Sequence, residues 1–112
     1  METQIIITTM PDQDSALQLA NHLVDTGLAA CVNLLSPCTS VYSWRGKTET
    51  AREIPVFIKA NTANYPAIEG KIKSLHPYEL PEIITVPITG GAADYLQWLA
   101  GVSSSALIPT NS

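Results

Sequence analysis

Glu53-Ile54-Pro55-Val56-Phe57-Ile58-Lys59-Ala60 alternates, with Ile54, Val56, Ile58 and Ala60 falling on one face. A period of two is that of a β-strand, whose successive side chains point to opposite sides. Upstream, Thr39 to Trp44 sets Val41 and Ser43 against Tyr42 and Trp44, and Arg45-Gly46-Lys47 between the two runs reads as a tight turn. Together they make a long hairpin. Before it, Cys31-Val32-Asn33-Leu34-Leu35 also reads as extended and is interrupted at Ser36-Pro37. The proline marks a bend or bulge, because it cannot donate to a ladder.

Outward from the hairpin the periods change. Ile5-Ile6-Ile7-Thr8-Thr9 is a short β-branched run suited to a strand at a sheet centre, and it stops at Met10-Pro11. Asp12 is placed to cap a helix over about 13–26, in which Ala16, Leu17, Leu19, Ala20, Leu23 and Val24 recur at three- and four-residue steps until Gly27. Beyond the hairpin, Asn61 to Asn64 offers caps for a second helix. There Tyr65, Ile68, Ile72 and Leu75 repeat, and Glu69 and Lys73 stand i, i+4 before Pro77 ends the run. Ile83 to Ile88 is a further strand, Gly90-Gly91 breaks it, and Tyr95, Trp98, Leu99 and Val102 give a last helix of about 92–101. The order is β-α-β-β-α-β plus a helix. That is the α+β, ferredoxin-like split βαβ arrangement, an antiparallel sheet with two helices on one face. Its other face needs cover, and the apolar positions of the protruding hairpin point to a second subunit, since a lone hairpin is marginal in water.

The 112 residues make one domain, expected at 1–102, with 103–112 as a loose tail. Of these, 46% are hydrophobic and 14% charged, against about 25% charged in an ordinary soluble protein. So few charges again suggest a buried subunit interface. The net charge of −4 argues against a nucleic-acid partner. All six cations lie between Arg45 and Lys73, a mildly basic middle that reads first as solvated faces and second as an anion-attracting cleft. No apolar run approaches the roughly 18 residues of a membrane span, and the N-terminal residues lack the cations of a signal peptide, so a cytoplasmic protein is expected. Cys31 and Cys38 should then stay reduced.

Few residues point to chemistry by themselves. Gly46-Lys47-Thr48 resembles the end of a phosphate loop, but Val41 stands where that loop needs glycine. Gly90-Gly91 reads as a strand-to-helix turn before an anion cradle. His22 has no metal-pair partner four residues away, and Cys31 reads as a small buried thiol. His76 stands at a helix end with Glu79 and Glu82 close by, a mixture of imidazole and carboxylate able to bind a divalent ion. The aromatic residues Tyr42, Trp44, Tyr65 and Tyr78 read as core or interface first and as a stacking platform second. No nucleophile and base can be paired by spacing, so no enzyme is expected.

Five blocks in order carry a resemblance: Thr9-Met10-Pro11-Asp12, Leu28-Ala29-Ala30-Cys31-Val32-Asn33, Tyr42-Ser43-Trp44-Arg45-Gly46-Lys47, His76-Pro77-Tyr78-Glu79-Leu80-Pro81-Glu82 and Asp94-Tyr95-Leu96-Gln97-Trp98-Leu99. Over about residues 4–101 the chain resembles the CutA divalent-cation tolerance family. The resemblance implies a homotrimer of ferredoxin-like subunits, similar to the PII signalling proteins, with the long hairpin packed between subunits. It implies a role in tolerance of copper and other divalent cations. Where metal-binding members use a Cys and a His-His pair, this chain has Thr8, Leu75 and His76, which leaves His76 as the implied metal ligand. The family's inter-subunit cleft maps to Tyr42, Trp44, Glu53, Lys59, His76 and Tyr78, a set suited to a metal ion or a small anionic ligand. A trimeric metal-response protein binding copper or another divalent cation weakly is the first expectation. The alternative is a PII-like signalling module that takes a small anion or a protein partner.

Overall fold

β4 (Lys47–Asn61) is the longest element and organises the rest. In the computed structural model, which describes residues 2–103, β4 pairs with β1 (Thr3–Met10) on one side and β2 (Cys31–Leu34) on the other. β1 pairs in turn with β5 (Ile83–Pro87), and β3 (Cys38–Trp44) pairs with the first half of β4. Every ladder is antiparallel, and the central order is β2-β4-β1-β5. β5 forms an edge. Ile88 N–H donates to the Thr3 carbonyl, so by the alternation of the ladder Pro87 faces outward, where its missing N–H breaks no pairing.

α1 (Gln13–Asp25) begins as expected at Asp12, whose carboxylate accepts the Ser15 N–H at 2.8 Å. It stops at Gly27, whose φ of 76° lies in the left-handed region that favours glycine. α2 (Tyr65–Leu75) is entered through one 3-10 turn, Thr62–Asn64, where the sequence suggested only caps. It ends at His76 in extended backbone, because the ring of Pro77 disfavours a helical conformation in the residue before it. α3 (Ala93–Val102) packs on β4 and β1. The core lies between the sheet and the pair α1 and α2, where Ile6, Met10, Leu19, Leu23, Ile58, Ile68 and Ile72 are fully buried.

Three expectations need correction. β4 starts at Lys47 rather than near Glu53, because Lys47 to Arg52 is held to β3 by backbone pairing while its side chains stay mostly exposed. No burial means no alternation to read. Secondly, Ile54, Val56, Ile58 and Ala60 are covered within the protomer. Exposed apolar side chains lie elsewhere, among them Val41 of the hairpin, Leu80 after α2, Trp98 of α3 and, on the sheet face away from α1 and α2, Ile84 and Val86, which are 51% and 44% exposed. The register puts Ile5 and Ile7 of β1 and Phe57 of β4, all half-buried, on that same face. Thirdly, Ser103, assigned to the tail, is fully buried as the C-cap of α3. Residues 104–112 of the expected tail lie outside the described residues.

Candidate functional site

Of the expected cleft residues, Glu53, Tyr42, His76 and Tyr78 come together beside the end of β1, and Lys59 and Trp44 do not join them. Thr9 ends β1 and lies opposite Pro55, which brings its hydroxyl beside Glu53, two residues earlier on β4. Thr9 Oγ1 donates to Glu53 Oε2 at 3.1 Å, and Glu53 is 7% exposed. The Thr9 carbonyl faces the other way and is 2.6 Å from His76 Nε2. Because a carbonyl can only accept, Nε2 carries the proton, and Nδ1 then accepts the Tyr78 N–H at 3.2 Å. The His76 and Tyr78 rings meet with centroids 4.5 Å apart. Burial first, then the negative charge of Glu53, then Tyr42, push the Tyr78 phenol above its ordinary pKa. Thr9, Glu53, Tyr42, His76 and Tyr78 therefore form one cluster, with a buried carboxylate at its centre.

Lys59 and Trp44 stand apart from it. Six residues separate Lys59 from Glu53 along β4, which at about 3.3 Å per residue is roughly 20 Å. In the register Lys59 faces Ile5 and Cys31 instead. Trp44 is at the hairpin tip with the Arg45 guanidinium 5.2 Å from its ring centroid. Arg45 also reaches Glu79 at 2.8 Å, across an exposed ion pair. Cys31, read as buried, is half-exposed because its side of β2 belongs to the open face.

His76 does not gather metal ligands in one protomer. Both ring nitrogens are engaged, Glu79 is turned to Arg45, and Glu82 contributes its backbone carbonyl to the Thr8 hydroxyl at 2.7 Å. Thr8 is thereby also committed. Among the described residues no three of His, Cys, Asp and Glu come together as a metal site. The residues of a single chain therefore do not fit a resident metal at His76. Spacing missed Thr9 entirely, since its bonds to Glu53 and His76 span 44 and 67 positions. The one signal for it was its place in the first block of the resemblance.

A groove of about 460 Å³ runs behind the cluster, between α2 and the segment after it, lined by Tyr65, Glu69, Lys73, Tyr78, Glu79 and Leu80 among others. Lys73 and Glu69 pair at 2.6 Å. Hydrogen bonding to Lys73 holds the Glu69 carboxyl below its ordinary pKa. Burial, then the bond to Glu69, raises that of Tyr65. The groove's charges are thus matched internally.

Residues 4–102 match the family model of the CutA1 divalent ion tolerance protein. The chain is 44% identical over 95 residues to the divalent-cation tolerance protein CutA of Pectobacterium atrosepticum, covering 85% of this chain and 86% of that one. The solved structure of CutA1 from a psychrotrophic Shewanella superposes with a TM-score of 0.89 at 44% identity, covering 93% of this chain and 97% of that one. That of the divalent cation tolerance protein from Thermus thermophilus gives 0.86 at 36% identity, covering 88% and 96%.

Proposed function

Because the chain belongs to the CutA1 divalent ion tolerance family, we propose that it acts in divalent-cation tolerance as a homotrimer, contacting copper or a similar ion weakly at the Glu53 cluster. One observation carries the cation reading. Glu53 is a buried carboxylate faced by the phenol of Tyr78, and among the described residues the ion pairs are Arg45–Glu79 and Lys73–Glu69, so no Lys or Arg pairs with it. A buried charge without a counter-charge is costly, and an arriving cation relieves that cost. The cluster's one formal charge is negative, which disfavours the small anion of the PII-like alternative. His76 enters as the residue that orders Thr9 and Tyr78 around the carboxylate.

The sheet order β2-β4-β1-β5, with α1 and α2 on one face, supports assignment to the ferredoxin-like class. The open apolar face supports the trimer. The relatives bear the names of tolerance proteins rather than of enzymes, and we read this chain as non-enzymatic. Cytoplasmic residence is part of the same proposal; among the described residues no helix is long and apolar enough to cross a membrane.

Calorimetric titration of Cu(II) into wild type, Glu53→Gln and His76→Ala tests the reading. Glu53→Gln is expected to weaken binding at least about tenfold, the effect of one lost charge contact of about 1.4 kcal/mol. His76→Ala is expected to weaken it less. The reverse order would make the imidazole the ligand, and equal binding by all three proteins would end the cation reading of this cluster.

A further inference from the structure

A second groove, of about 480 Å³, opens at the start of α2. Its walls are Gln4 on β1, Thr62 of the 3-10 turn, Tyr65 and Pro66 of α2, and β5 residues that include Ile83 and Thr85. Gln4 alternates with the core residue Ile6, and the register sets Ile83 opposite Thr8 and Thr85 opposite Ile6, so these walls stand on the side of the sheet that α1 and α2 cover. Gln4 is five residues from Thr9 along β1, roughly 17 Å at the rise of a strand. The groove is therefore separate from the Glu53 cluster. Its size is within the roughly 300–1,000 Å³ of ligand pockets.

Two features ask for an acceptor there. Gln4 is 7% exposed, and its Nε2 is buried without a hydrogen-bond partner. The other buried amides with an unmatched atom, Asn61 and Asn64, lack a donor for their oxygens and give their nitrogens to the carbonyls of Ala100 and Leu28. Among the described residues Gln4 thus holds the unused buried donor, and such a group is costly until an acceptor arrives. The second feature is α2 itself. Its N-cap Asn64 makes no side-chain cap bond, and its first turn holds no Asp or Glu, so no side chain of that turn offsets the positive end of the helix.

The chemistry of the walls narrows the ligand. They carry no Lys, Arg, Asp or Glu, and Lys73 of the adjoining groove is held by Glu69. A multiply charged anion such as phosphate finds no counter-charge there. A single carboxylate meets the roughly half positive charge of a helix start, the Gln4 amide, and the exposed residues Thr62 and Thr85 with their hydroxyls. Tyr65, Pro66 and Ile83 offer apolar surface to the rest of the molecule. We propose that this groove binds a small monocarboxylate with a branched aliphatic body, its carboxylate accepting from Gln4 Nε2 at the start of α2. Gln4 is then a residue kept for its ligand at the expense of the free chain's stability, since an apolar side chain of similar size would leave no donor unmatched.

An NMR titration of the full chain with isocaproate, with its neutral analogue isocaproamide and with inorganic phosphate tests this. Isocaproate is expected to shift the amides of residues 62–65 and 83–85 saturably and to leave Ile58 and Glu53 unmoved. Isocaproamide should bind more weakly and phosphate not at all. Gln4→Leu should weaken isocaproate binding about tenfold, the effect of one lost hydrogen bond to a charged acceptor, and should raise the melting temperature of the ligand-free protein. If Gln4→Leu does not fold, Gln4→Met provides the same two readings. No saturable shift in the groove, shifts centred on the Glu53 cluster, or undiminished binding by the Gln4 variant overturns the proposal. A lower melting temperature overturns it as well, because Gln4 would then be a packing residue. Equal binding of isocaproamide overturns the carboxylate and with it the part given to α2.

Discussion

Asp12 shows how one side chain fixes both a boundary and a pH response. Its carboxylate accepts the Ser15 N–H at the start of α1, and that bond holds its pKa below the ordinary 3.8. A carboxyl whose pKa is depressed by folding stabilises the native state above its unfolded pKa, and the stabilisation is lost as pH falls through the folded value. Asp12→Ala is therefore expected to melt below wild type at neutral pH, with the gap closing as the pH drops below about 4. Asp12→Asn keeps an acceptor and should lose less. Thermal melts of the three proteins at neutral and acid pH check this, and a gap that widens on acidification would contradict it. Asp12 was legible in the sequence because its partner is three residues away. Thr9, Glu53 and His76 were not legible as a unit, because their bonds are made by the pairing of β1 with β4 and by the chain's return after α2.

At the scale of elements, legibility followed burial. The strands and helices that face the core announced themselves: Ile54, Val56, Ile58 and Ala60 alternate because α1 and α2 cover that side. Lys47 to Arg52 gave no such signal, since an exposed ladder is indifferent to which side chains it carries. What holds that part of the hairpin is its turn. Trp44 pairs with Lys47, and Arg45 and Gly46 between them have φ of 51° and 80°, the two positive values of a type I′ turn. A Cβ at Gly46 would meet nothing within 4 Å. Gly46→Ala should therefore cost only the backbone strain, about 1 kcal/mol. The expected readout is faster amide exchange in β3 and the first half of β4, with β1 and β2 unaffected. Loss of the whole fold would mean that the hairpin is needed for the core.

The molecule as a whole covers one sheet face with α1 and α2, while on the other, where α3 packs only on β4 and β1, Ile84 and Val86 stay exposed. Rows set by the register run Val86, Ile5, Lys59, Cys31 and then Ile84, Ile7, Phe57, Asn33, so aliphatic and aromatic groups form its middle. A chain with only 14% charged residues has little polar surface to set around such a patch, and contiguous exposed apolar patches usually mark interaction sites. Assembly through this face predicts light scattering at about three times the chain mass at micromolar concentration. Val86→Glu places a charge in the face, where a buried unpaired carboxylate costs several kcal/mol per subunit, and should give the mass of one chain with an intact core. Leu17→Glu is the matched control. Leu17 is 44% exposed, as Val86 is, but it belongs to α1 in the helix layer on the opposite side of the sheet. It should leave the trimer whole. If both variants stay trimeric, the subunits meet elsewhere, and the polar hairpin with Val41 at 65% exposure becomes the surface to change next.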